Sequence, residues 1–278
     1  MFPQFSIWPA AKPNEIHHSH IAFGKDVCIF ILMIWSFFQM AQTAETLSPE
    51  HQTAVFSWNQ KAGSLLAAIA MVITFVSDIF LLPYPTPDQP KWQTVSIIGH
   101  CGFFTLQTLF LQTSYALVKA YAIYTGNAKL CVVCCSMALW VNTQGAALTL
   151  LFFKLNWYEP KWQRDIQKPN EKKYPGISFV WLVGHVPSLP IALFDVVFLN
   201  NAAVVAVHGA EYMTVVKVAF AYGALYLLFA KSVQSKYGTL IYPFIKDISS
   251  PVKGFGFVVI VGSAVSVVAY GLNMLLLQ

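Results

Sequence analysis

The chain is predicted to fold as an all-α, polytopic transmembrane helix bundle, and three features of its sequence carry that prediction. It is 56% hydrophobic and only 10% charged over 278 residues, against about a quarter charged in soluble globular domains. Apolar runs close to the roughly 20 residues needed to cross a bilayer recur from one end to the other. These runs are continuous, whereas a transmembrane barrel would show short alternating segments.

Seven spans are expected, at residues 26–42, 62–84, 95–122, 130–153, 177–199, 211–233 and 253–277. The first is short and ends in "QMAQTAET", so an interfacial or tilted helix also fits it. No cleavable signal is expected, because "MFPQFSIWPAAKPNEIHH" is too polar and too rich in proline for a signal-peptide core. It also lacks the arginine-rich amphipathic character of a transit peptide. The longest linker, "NWYEPKWQRDIQKPNEKKYPG", reads as a loop on the membrane surface, with Trp157, Tyr158 and Trp162 in the headgroup belt. "KYGTLIYPFIKDISSP" contains Gly238 and Pro243 and is expected to form an interfacial or re-entrant turn.

Lysine placement gives the expected topology. Lys12, Lys25, Lys91, Lys154, Lys161, Arg164, Lys168, Lys172, Lys173, Lys231, Lys236, Lys246 and Lys253 share one face, and Lys61, Lys119 and Lys129 the other. The positive-inside rule puts the N-terminus and the even loops in the cytosol, or in the matrix of a mitochondrion. The formal charge of +5 then reflects topology and contact with anionic lipid headgroups, and no nucleic-acid partner is expected.

Cys131, Cys134 and Cys135 include a Cys-x-x-Cys pair without a second pair at zinc spacing, so they read as small packing residues. The tract His17, His18 and His20 reads as a solvated or headgroup-contacting cluster rather than a metal site. Neither metal nor cofactor is expected.

Polar groups within the spans carry more information. Asp78, His100, Thr105, Gln107, Gln112, Gln144, His185, Asp195, Lys217 and Asn273 all fall at membrane depth, where an ionisable side chain costs about 2.5–3.5 kcal/mol on insertion scales. One such residue can simply hydrogen-bond a neighbouring helix; so many suggest a site. His185 offers a general base, and Thr105, Thr108, Thr113 and Ser114 in the third span offer hydroxyls that it could activate. Asp195 is a candidate to orient the imidazole, although ten residues along a helix is about 15 Å. Pro187 and Pro190 would have to break the helix to bring it back.

"HVPSLPIALFD" followed by "GTLIYPFI" resembles the androgen-induced-gene family of small polytopic membrane hydrolases. The order and spacing of His185, Pro190 and Asp195, then of Gly238, Tyr242, Pro243 and Phe244, carry the resemblance, together with "GFFTLQTLF" two spans earlier. It covers roughly residues 60–278. It implies a six-span membrane domain over 59–278 preceded by an N-terminal extension, 1–58, with one added short membrane helix. It further implies a catalytic pair, Thr105 as nucleophile and His185 as base, acting on fatty acid esters of hydroxy fatty acids in the endoplasmic reticulum membrane. Asp195, Gln107 and His100 would support or orient that pair, and Gln112 is a further candidate to stabilise the oxyanion. The chain departs from the family pattern at Trp181 and Leu182, where an Asn-His pair is usual. Leu240 replaces an aromatic, and Thr108 stands at the place of an acid.

Two other classes compete with the enzyme. A member that has lost catalysis would serve as a lipid-embedded structural subunit of a larger membrane complex, for example a respiratory or ATP synthase assembly of the mitochondrial inner membrane. A transporter using His100, Asp195 and Lys217 is the weakest, since the sequence shows neither internal symmetry nor paired broken helices.

Overall fold

A computed structural model describes residues 13–48, 56–80, 103–173, 175–237, 248 and 250–277. Its elements, numbered in chain order, are α1 (Pro13–Thr43), α2 (Trp58–Phe80), α3 (Phe104–Thr125), α4 (Ala128–Tyr158), α5 (Pro160–Trp162), α6 (Lys168–Lys173), α7 (Ile177–His185), α8 (Ser188–Phe194), α9 (Ala202–His208), α10 (Tyr212–Tyr237) and α11 (Pro251–Leu276). No strand occurs among the described residues. Six stretches are long and apolar enough to cross a membrane: Asp26–Thr43, Trp58–Asp78, Ala128–Tyr158, Ile177–Leu199, Tyr212–Lys236 and Pro251–Leu276.

The expected third span corresponds to α3, which is 22 residues long and therefore about 33 Å, enough to cross. It falls outside the six because of its polar residues, among them Thr105, Gln107, Thr108, Gln112, Thr113, Ser114 and Lys119. Packing explains how it tolerates them. It is sandwiched between α2 and α4, with α1 also against it, and Thr108, Gln112, Thr113, Ser114 and Lys119 are all buried.

Local sequence sets the helix ends. Ser57 and Gln60 form a reciprocal capping box before α2: Gln60 N–H donates to Ser57 Oγ at 3.3 Å and Ser57 N–H to Gln60 Oε1 at 2.9 Å. Gly126, at φ 67°, closes α3 in the left-handed conformation, and the next residue, Asn127, caps α4 by accepting Leu130 N–H at 3.1 Å. Two residues thus reverse the chain between two long helices. Ser250 caps α11 through Lys253 N–H, with Pro251 in the first turn.

The surface linker is helical where the sequence predicts a loop. α5 continues through a π-helical turn, Gln163–Gln167, into α6. Its prolines are compatible with helix because Pro160 opens α5, where a missing N–H costs nothing, and Pro169 follows directly on the widened turn.

The fifth span is broken. α7 ends at His185, α8 begins at Ser188, and a π-helical turn Asp195–Leu199 completes the crossing. Pro187 and Pro190 lack N–H groups, and Thr149 of α4 repairs the ladder. Its hydroxyl donates to His185 O at 2.6 Å while accepting Leu189 N–H at 3.1 Å. A side chain from another helix therefore stands between an amide and the carbonyl four residues before it.

The bundle is apolar outside, and its largely apolar core also holds polar side chains. Exposed residues include Leu66, Ile73, Leu225, Leu228, Phe255, Ile260 and Val267, while Asp78, Gln112, Lys119, Asn142 and Asp195 are buried. Lipid suits that outer surface, since tails cannot satisfy polar groups. The structure is that of a polytopic membrane protein.

Candidate functional site

Thr105 and His185, 80 residues apart, meet between α3 and α7: Thr105 Oγ1 lies 3.4 Å from His185 Nε2. The other ring nitrogen fixes the tautomer. Nδ1 is 2.7 Å from the carbonyl oxygen of Trp181, one turn back on the same helix. A carbonyl can only accept, so Nδ1 carries the proton and Nε2 of the neutral ring presents its lone pair to the hydroxyl. Phe152 of α4 stacks on the imidazole, with centroids 4.6 Å apart and planes at 26°. The ring is thus held by a backbone oxygen, an aromatic face and the Thr149 bond to its own carbonyl. The holding group at position 181 is a main-chain atom, so the hold does not depend on which side chain stands there.

Asp195 is placed elsewhere. Lys119 Nζ lies 2.6 Å from one carboxylate oxygen, while Tyr115 Oη–H at 2.9 Å and Asn142 Nδ2 at 2.7 Å donate to the other. Asn200 completes the group, accepting from Lys119 Nζ at 2.7 Å and donating to Asp195 O at 2.7 Å. Four donors on one carboxylate and three acceptors around one ammonium make a satisfied buried pair.

Gln107 also turns away from the dyad. Two residues on from Thr105, it projects about 200° round the helix, and its Oε1 accepts the Tyr222 hydroxyl of α10. Gln112 lies on the Thr105 face but about 10 Å along it, where its amide donates to Ser188 O at 3.4 Å, so it stands too far along the helix to meet an oxyanion at Thr105. His100, Gly238, Tyr242, Pro243 and Phe244 lie outside the described residues.

No family model, curated protein or solved structure matches the chain.

Several residues at the site are not legible as site residues in the sequence. Lys119, near the end of the third expected span, reads as a flanking lysine, yet its side chain is 6% exposed. Asp78 of α2 is buried, and a Cβ added at Gly184, next to His185, would come within 2.6 Å of its Oδ1. α2 therefore presses an acid against the backbone of the helix that carries His185, and a glycine at 184 makes room for it. Spacing is the signal that finds this set. Thr105, Thr108, Gln112, Tyr115 and Lys119 follow a 3-4-3-4 rhythm, and Asn142, Gly145, Thr149 and Phe152 follow 3-4-3. Each is one face of a helix. Among the described residues no three metal-ligating side chains converge. Lys217 is exposed on α10.

Proposed function

We propose that the chain is an intramembrane ester hydrolase in which Thr105 is the nucleophile and His185 the base. The observation that supports this reading is the 3.4 Å approach of the hydroxyl to an imidazole nitrogen whose tautomer is fixed by Trp181 O. That separation is long for a hydrogen bond between neutral groups, and catalytic contacts without substrate commonly are. His185 Nε2 would take the Thr105 proton as Oγ1 attacks the ester carbonyl and pass it to the ester oxygen as that C–O bond breaks, so the hydroxy fatty acid leaves and an acyl-threonine remains; the neutral imidazole would then activate water to release the acid. The family resemblance supplies the substrate class, fatty acid esters of hydroxy fatty acids, and the endoplasmic reticulum membrane. An apolar environment suits such a substrate, whose chains can reach the site from the lipid.

A fluorophosphonate probe tests the reading on the purified protein. Covalent labelling of wild type is expected, with loss in Thr105→Ala and in His185→Ala. Equal labelling of wild type and Thr105→Ala would remove Thr105 from the chemistry.

One observation favours a structural role instead. Among the described residues, two small cavities are lined around Lys119 and Leu199, and neither Thr105 nor His185 lines them. A subunit whose buried ion pair staples its helices, and which works within a larger assembly of the mitochondrial inner membrane, needs no substrate cleft at the dyad. Native sizing separates the two. Label at the size of a monomer or dimer supports the hydrolase; an unlabelled protein found only in a large stoichiometric complex supports the subunit.

A further inference from the structure

Between the dyad and the Lys119–Asp195 pair runs a row of buried polar atoms without a hydrogen-bond partner among the described residues: Thr108 Oγ1, Gln112 Oε1 and Ser188 Oγ. Their residues are 1%, 3% and 0% exposed. A buried hydroxyl or amide left unsatisfied costs about 1–3 kcal/mol, and three along one interface call for a common partner. The row is aligned by the helices. Thr105 faces His185, Gln112 faces Ser188 and Lys119 faces Asp195, so α3 and the broken span run in the same direction with matched polar steps. Gly145 of α4 makes room at the middle step, since a Cβ there would strike the Gln112 amide.

A small cavity opens beside the row, with Ser64, Met71, Gln112, Lys119, Asn142 and Asp195 on its wall. It has room for about one water molecule, and polar groups on several sides are what a buried water needs. Toward the other end of α4, Phe152, which covers the imidazole, stacks onward through Phe153 and Trp157, and the amides of Asn156 and Gln163 donate to α4 carbonyls. In the opposite direction, polar contacts extend from the dyad through Gln112 to Lys119 and Asp195.

We infer that this seam binds an internal water molecule at Gln112, in the cavity walled by Met71, Asn142 and Asp195, and that it supplies the water for deacylation at Thr105 past the Thr108 and Ser188 hydroxyls. The use of that water rests on the hydrolase reading; the water site itself does not. In the step supplied, the water oxygen bonds to the acyl carbonyl carbon and the bond from that carbon to Thr105 Oγ1 breaks. The water proton passes to His185 Nε2 and then to Oγ1, so the free acid leaves and the enzyme is restored.

Two measurements on the full chain in detergent test the inference separately from the reading beneath it. Hydroxyl-radical footprinting by X-ray pulse oxidises side chains next to bound water, and Met71 is fully buried on the cavity wall. Met71 should be oxidised in wild type, less in Ser188→Ala, and protected in Gln112→Leu. An unoxidised Met71 in wild type would overturn the proposal with no variant needed, and oxidation undiminished in both variants would overturn the route through Gln112 and Ser188. In turnover assays Gln112→Leu should accept the fluorophosphonate as wild type does, because that step uses no water. It should also slow ester hydrolysis on the order of tenfold and accumulate acyl-threonine. Normal hydrolysis in a labelled, water-excluding variant would overturn the supply role. Failure of wild type to label, with Met71 still oxidised, would sink the hydrolase and leave the water site standing.

Discussion

Lys119 shows what one residue can decide in this fold. Its ammonium is held by Asp195, Tyr115 and Asn200 deep between helices, where removal of one charge leaves the other stranded. Lys119→Met is expected to destabilise the protein by about 3–5 kcal/mol, seen as a lower unfolding midpoint in detergent. Lys119→Met/Asp195→Leu should recover much of that loss, because an apolar pair carries no desolvation cost. If single and double variants unfold together, the ion pair is not what fixes these helices. His185 is legible in the sequence because an imidazole in a long apolar run is conspicuous, whereas Thr105 is one of several hydroxyls in the third span and is singled out there by the family resemblance alone. Lys119 is not legible. Its depth is set by Asp195 on another helix, and nothing near it in sequence separates it from the lysines that flank spans. Likewise, ten residues of helix place Asp195 far from His185, but its actual partners are known only once α3 and α4 are packed against it.

At the scale of elements, the apolar runs locate the long helices well, whereas the connections depend on finer chemistry. The stretch after α4 reads as a loop because of its prolines, and it is helical because those prolines fall where helices admit them. Glu171 of α6 anchors the start of α7: its two carboxylate oxygens accept Gly176 N–H at 2.8 Å and Ser178 N–H at 2.9 Å. The Ser178 hydroxyl, together with these two amides, favours the ionised form and holds the carboxyl below its ordinary value of 4.5. The linkage sign follows. The contribution is fully present above that ordinary value and is lost as pH falls through the lowered one. Protection of the Gly176 and Ser178 amides, taken relative to their intrinsic exchange rates at each pH, should therefore fall on acidification through that window, and in Glu171→Ala at neutral pH. Exchange in Glu171→Ala equal to wild type would refute the anchor. α10 and α11 meet closely at Gly262, where an added Cβ would fall 2.6 Å from the Phe220 ring. A ring cannot fold out of the way as a flexible chain can. Gly262→Val should cost about 1–3 kcal/mol of stability, and an unaltered melt would mean that the two helices separate freely.

For the molecule as a whole, apolar side chains face outward, and the four crossings α2, α3, α4 and the broken fifth enclose the Thr105–His185 contact and the Lys119–Asp195 group. Fold class was available from composition alone, because only a bundle of helices can carry so much apolar sequence with so few charges. The pairing of helices was not, since it rests on matched polar steps between segments 76 to 80 residues apart. One of those segments also gives the molecule a mechanical property. α4 has 31 residues, about 46 Å of helix against a hydrocarbon layer of about 30 Å, so it tilts more as the bilayer thins. Because α4 grips His185 through Thr149 and Phe152 while Thr105 belongs to a different helix, tilt changes the gap between oxygen and nitrogen. Membrane thickness thus becomes an input to the dyad, and the rate of probe labelling in vesicles of graded acyl-chain length should pass through an optimum.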